Sequence, residues 1–347
     1  MRRGKILLKQ ERPGAGDCGP TGVTMSARYL AVPLALLLTT PALAQTTLKL
    51  GVQESGTVQW EIETIKALGL DAKHGLTLDI RPLADSRAGQ IALQAGAVDV
   101  ILSDFVWVST QRSAGNLVTM VPHSLAVGGL MLHQGSTIAR VEDLKDRSIA
   151  VAGGPIDKSW VILQAYYQSL TGERLIDEVH ASYGAPPLVN ELLSIGGADA
   201  ALNFWQWNAR ATGFGATELV SVAEMLEELG VSEQPPLLGW TFTDETAASK
   251  SEALTAFLDA SFEAKAALLD YDSIWLTLKA TMGAQDDDAL FTRLRDDYRA
   301  GIVASYDPQN TKAAAETFAL LAEFGGKDLV GDSETLDPGT FWQGYSK

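Results

Sequence analysis

Cysteine is all but missing from this chain of 347 residues, where Cys18 stands alone. One cysteine makes no internal disulfide and no thiolate metal cluster. Histidine is as scarce. His74, His123, His133 and His180 are scattered, with none of the HxxxH or Cys/His spacings that signal a metal site. Positive charge is short too, with 27 Lys and Arg against 43 Asp and Glu and a net charge of -16, which argues against nucleic acid as a partner. The chain also lacks a GxSxG nucleophile elbow and a phosphate-binding GxxxxGK[ST] loop, and GVQESG falls short of the dinucleotide pattern GxGxxG. After the first 44 residues no apolar run reaches the roughly 20 residues that a membrane helix needs.

What is present begins with MSARYLAVPLALLLTTPALAQ from Met25: a basic Arg28, an apolar stretch to Leu38, and the small-x-small triplet Ala42-Leu43-Ala44. This is the pattern of an export signal cleaved near Ala44, and the run is too short and too proline-broken (Pro33, Pro41) for a span. Residues 1–24 have no place in such a signal and read as an extension ahead of a true start at Met25. Cleavage would remove Cys18, which follows GAGD and so does not fit a lipidation site.

QAGAVDVILSD (94–104) is echoed by SIGGADAALNF (194–204), so that Gly96, Asp99 and Ser103 correspond to Gly196, Asp199 and Asn203. Each copy reads as a helix end, a glycine in a left-handed cap, and a short buried strand. A spacing near one hundred is too wide for a solenoid and points to two similar α/β lobes. Around the first copy run the strands LKLGV (48–52), LTLDIRPL (76–83) and LVTMVP (117–122), with helices between them. Around the second run a helix at VEDLKDR, strands SIAVAGG (148–154) and EVHASYG (178–184), and helices from Asp157 and over PLVNELLSI. GGLMLHQGS (128–136) and PLLGWTF (236–242) read as crossing strands, and Ala-rich amphipathic helices close the chain. The expected fold class is therefore α/β, each lobe a mostly parallel sheet with helices, with residues 46–127 and 238–347 forming lobe 1 and 128–237 lobe 2.

LKLGVQESGT, LQAGAVDV, VEDLKDRSIAVAGG and GGADAALNFW, in this order and spacing behind an export signal, resemble the solute-binding proteins of ABC importers in the nitrate/sulfonate/taurine group, which also includes thiamine-pyrimidine-binding relatives. The similarity covers roughly residues 46 to 245. It implies a two-lobed periplasmic-binding-protein clamp of type II, located in the periplasm, that closes on a small solute and hands it to an ABC permease and ATPase in the inner membrane. It implies no cofactor and no metal, and a monomer is expected.

Open α/β sheets bind ligands beyond the carboxyl ends of their strands. Those junctions place Gln53, Glu54, Ser55 and Thr57; Ser103, Asp104 and Trp107; Gly153, Gly154, Asp157, Lys158 and Ser159; Tyr183; and Asn203, Trp205 and Trp207 at the expected solute site. Six of the eight tryptophans (60, 107, 160, 205, 207 and 240) lie at or just past strand ends. Trp107 and Trp205 read as cleft residues, while Trp60 and Trp160, one turn into helices, fit packing equally well. Asp157 fits a helix cap as well as a ligand contact. Aromatic faces beside carboxylates suit a flat or cationic, nitrogen-containing solute. Gly153-Gly154, Lys158 and Arg87 leave a sulfonate open. Two alternatives remain: an enzyme of the pyrimidine-precursor type on the same fold, and a sensor that binds a solute without transport.

Overall fold

The structure, a computed structural model, describes residues 46–54 and 56–347. The expected export signal, Cys18 and Ser55 lie outside the described residues. The first stretch runs β1 (Thr46–Gln53), α1 (Val58–Ala67), α2 (Leu70–Lys73), β2 (Leu76–Leu83), α3 (Ser86–Gln94), β3 (Ile101–Asp104), α4 (Phe105–Ser113) and β4 (Val118–Ser124). The second runs β5 (Gly129–Leu132), β6 (Ser148–Ala152), α5 (Lys158–Thr171), α6 (Leu175–Glu178), β7 (His180–Gly184), α7 (Pro186–Ser194), β8 (Ala200–Asn203), α8 (Trp205–Ala211), β9 (Thr217–Ser221) and α9 (Val222–Glu228). The last runs β10 (Leu238–Thr243), α10 (Asp244–Ser249), α11 (Ser251–Asp270), α12 (Asp272–Leu278), α13 (Asp288–Ala300) and α14 (Lys312–Val330). The helix expected at VEDLKDR is a single 3-10 turn, Val141–Leu144.

The strands form two sheets of one design. In the first, β1 pairs with β2 in parallel, β10 lies antiparallel between β3 and β4, and the Leu50–Val100 bridge joins the two pieces. In the second the order is β7-β6-β8-β5-β9, with β5 antiparallel between β8 and β9. Matching β1 with β6, β3 with β8 and β10 with β5 superimposes the two orders. Each crossing strand thus leaves the sheet that precedes it in the chain and lies antiparallel inside the other sheet.

The echoed segments do equivalent work. Gly96 and Gly196 both adopt left-handed backbone, φ 68° and 71°, which turns the chain out of α3 and α7. Asp99 then accepts a hydrogen bond from the Lys49 backbone N–H at 2.8 Å, and Asp199 one from the Ser148 N–H at 2.8 Å. Each carboxylate ties the approach to its strand to the start of the neighbouring first strand. Leu50, Gly51 and Val52 on β1 and Ile149, Ala150, Val151 and Ala152 on β6 are buried at successive positions, as strands covered on both faces require.

A smaller core gathers Trp275, Leu278, Phe291 and Leu294 of α12 and α13 around Trp60 of α1 and Ala209 of α8. It therefore touches helices from both sheets.

Candidate functional site

Beyond the carboxyl ends of β3 and β6 the chain turns into helices α4 and α5. After β3, Asp104 caps α4, its Oδ1 accepting the Trp107 N–H at 2.8 Å. After β6, Gly153 (φ 92°) turns the chain, and Asp157 caps α5 by accepting the Ser159 and Trp160 N–H groups at 2.9 and 3.3 Å. The first residue of α5 is Lys158, whose Nζ lies 3.0 Å from Asp104 Oδ2. One helix N-terminus from each sheet thus meets its counterpart through an ion pair. Its side chains are 30% and 18% exposed, so solvent screens the pair in part. Burial works against the ammonium of Lys158, but Asp104 outweighs it and holds the pKa above the usual lysine value. Burial raises the Asp157 pKa, against the pull of Lys158 and the helix N–H groups.

Other expected site residues divide. Trp107 and Trp205 are half-buried, as is Trp207, over whose ring the Arg210 guanidinium stands at 5.5 Å. Tyr183 is 37% exposed and meets Trp160 edge-on at 6.2 Å. Gly154 and Thr57 are half-buried, Thr57 at the start of α1 with no side-chain cap bond. Gln53 donates to Ser86 Oγ at 2.8 Å, and Glu54 is exposed. Ser103 is buried and accepts from Gln90 at 3.2 Å. Asn203 is buried and spent on structure, donating to Pro186 O and Asn190 Oδ1 and accepting the Phe204 N–H. Trp160 and Trp240 are fully buried packing residues. Arg87 is exposed.

Trp60 meets Trp205 at 5.8 Å between centroids, and Tyr298 touches both rings, at 5.5 and 6.2 Å. Beneath this aromatic contact lies a group that the sequence pattern did not single out: Glu61, Lys265, His123, Tyr298 and Ser261, all buried. Ser261 donates to Glu61 Oε1 at 2.5 Å and accepts from Trp240 Nε1 at 3.0 Å. The signal was there in α11, where Ser261 and Lys265 stand on the same stripe as buried Leu254, Leu258 and Leu268. Burial, helped by the charge of Lys265, keeps His123 neutral with a pKa well below the usual value. Burial also raises Glu61, opposed by Lys265, and lowers Lys265, opposed by Glu61. Among the described residues no cluster of three or more His, Cys, Asp or Glu could hold a metal ion.

The family model NMT1/THI5 like matches residues 66–271, more than half of the chain. The chain belongs to the NMT1/THI5-like family. No curated protein sequence matches it significantly. Among solved structures it is similar to the alkanesulfonate-binding protein SsuA from Xanthomonas axonopodis pv. citri bound to MOPS, at 17% identity and TM-score 0.65 over 85% of this chain and 98% of that one. The periplasmic aliphatic sulphonate binding protein SsuA from Escherichia coli matches at 17% identity and TM-score 0.66, over 86% and 94%. The desulfurization enzyme DSZB matches at 14% identity and TM-score 0.57, over 83% and 96%. At these identities the likeness establishes the fold, that of periplasmic binding proteins with added C-terminal helices. Binding proteins dominate these neighbours, with an enzyme among them.

Proposed function

We propose that the protein is the periplasmic solute-binding component of an ABC importer, in which lobe 1 (46–127 and 238–347) and lobe 2 (128–237) close on a small nitrogen-containing or aromatic solute. The observation that carries this is the Lys158–Asp104 pair, which joins ligand-side helix starts of the two sheets at 3.0 Å. The class of solute follows from the residue types at the strand-end junctions. Asp104 and Asp157 outnumber Lys158, leaving these junctions one negative charge in excess when all three are ionised, and half-buried Trp107 and Trp205 and exposed Tyr183 offer aromatic faces. A sulfonate would meet both carboxylates and gain only Lys158 and the Gly153-Gly154 amides.

A thermal-shift screen of amines, heteroaromatics and sulfonates tests the proposal. A cognate solute at 100 times its Kd adds about 2.7 kcal/mol to stability. Trp107→Ala and Asp104→Asn should weaken that solute's binding more than they weaken folding. Stabilisation by sulfonates alone would remove the nitrogen-containing class, and stabilisation by none of the three would remove the importer assignment.

A further inference from the structure

Four buried polar atoms lack any hydrogen-bond partner at one place: Glu61 Oε2, His123 Nδ1, Lys265 Nζ and Tyr298 OH. They come from α1, β4, α11 and α13, and the residues are 0%, 4%, 1% and 7% exposed. His123 Nδ1 stands 3.5 Å and Lys265 Nζ 3.9 Å from Glu61 Oε2, close enough to converge without bonding to one another. Native interiors satisfy nearly all such groups, with protein partners or with ordered water. The charges of Glu61 and Lys265 cancel and His123 is neutral, so the place favours neither an anion nor a cation. It asks for a small neutral molecule that donates and accepts at once.

We infer that Glu61, His123, Lys265 and Tyr298 form an internal hydration site holding at least one long-lived water, and that the Trp205 ring of the other lobe gates its exchange. Water is the ligand whose chemistry fits: two donors and two acceptors, matched to a carboxylate, an imidazole, an ammonium and a phenol. The gate follows from position. The Tyr298 ring packs against Trp60 and Trp205, and Trp205 is the residue of this contact that α8 carries on the second sheet. Separation of the lobes would lift Trp205 away and leave Tyr298 as the thinner cover. The gating half rests on the two-lobe reading given above; the occupancy half does not.

Oxygen-17 relaxation dispersion on the purified protein, with water itself as the probe, separates the two halves. The double variant Glu61→Leu/Lys265→Met should lose the dispersion amplitude of at least one long-lived water relative to the parent, and unchanged amplitude would overturn the site. Should that variant not fold, a high-resolution crystal structure of the parent decides the same point. An ordered water bonded to two or more of the four groups supports the site, and direct bonds among them without solvent overturn it. Trp205→Ala should retain the amplitude and shorten the residence time at least tenfold. Retained amplitude with an unchanged residence time would overturn the gate while leaving the site. A protein that binds no solute in the screen would change neither readout.

Discussion

Lys158 Nζ and Asp104 Oδ2 are 3.0 Å apart although their helices follow strands of different sheets. Because the contact joins helix starts of different sheets, it should act on how the two sheets sit against each other more than on the folding of either. Lys158→Met should expand the solute-free protein in small-angle scattering, and a double-mutant cycle with Asp104→Asn should give a coupling of about 1 kcal/mol, low because the pair is part-exposed. Zero coupling together with an unchanged radius of gyration would reduce the pair to a surface contact.

Asp199 accepts from Ser148 N–H at 2.8 Å and Ser148 Oγ–H at 2.6 Å, and these bonds hold its pKa below the usual carboxylate value. A depressed folded pKa gives stability that is present above the unfolded pKa of about 4 and lost as pH falls through the folded value. Asp199→Ala should cost about 1 kcal/mol at pH 7, solvent around the side chain keeping the figure low. Urea denaturation should show that cost shrinking below pH of about 4. A cost that persists in acid would mean that the carboxylate's charge is not what Ser148 recognises.

His123 makes the same demand on pH from a different cause. Buried and neutral in the folded protein, it takes up a proton only on unfolding, so the unfolded chain binds more protons below about pH 6.5 and the folded state loses stability as pH falls. The expected slope is at most about 1.4 kcal/mol per pH unit. In His123→Phe that slope is absent, so the difference in stability between parent and variant should narrow from pH 7.5 to pH 5.5 in paired urea titrations. A difference that stays constant would show that His123 is already free to protonate in the folded protein.

Gly128 opens the crossing strand into the second sheet, and a Cβ there would come within 1.7 Å of the Asn203 backbone oxygen. No rotamer relieves a clash with backbone. Gly128→Ala should therefore destabilise by about 3 kcal/mol, whereas Gly213→Ala, with nothing within 4 Å of its added Cβ, should be near neutral by calorimetry. Equal effects of the two would mean that β5 can shift away from β8 at little cost.

Much of this was legible in the residues. The Gly96/Asp99 and Gly196/Asp199 echo exposed the doubled design because a left-handed turn and a strand-tying carboxylate are local needs with few solutions. Crossing segments near 130 and 238 could be read as strands, but not as antiparallel inserts, because pairing partners lie far away in sequence. Tryptophan was a weaker guide. Trp160 lies in the first turn of α5 and Trp240 within β10, and both face inward, since about half a turn of helix or one strand position reverses the side that a ring presents. The buried Glu61–Lys265 group escaped notice because charged residues in helices ordinarily mark the solvent side, and here both lie on the packed stripe.

The late return of β10 to the first sheet has a consequence for biosynthesis. A nascent chain that has emerged only as far as residue 128 carries β3 and β4 without the strand that belongs between them, and Leu238–Thr243 arrives more than a hundred residues later. The second sheet, β5 to β9, lies within one continuous stretch (129–221), whereas the first is completed only by β10, so isolating the first calls for co-expressed pieces or a rearranged chain order.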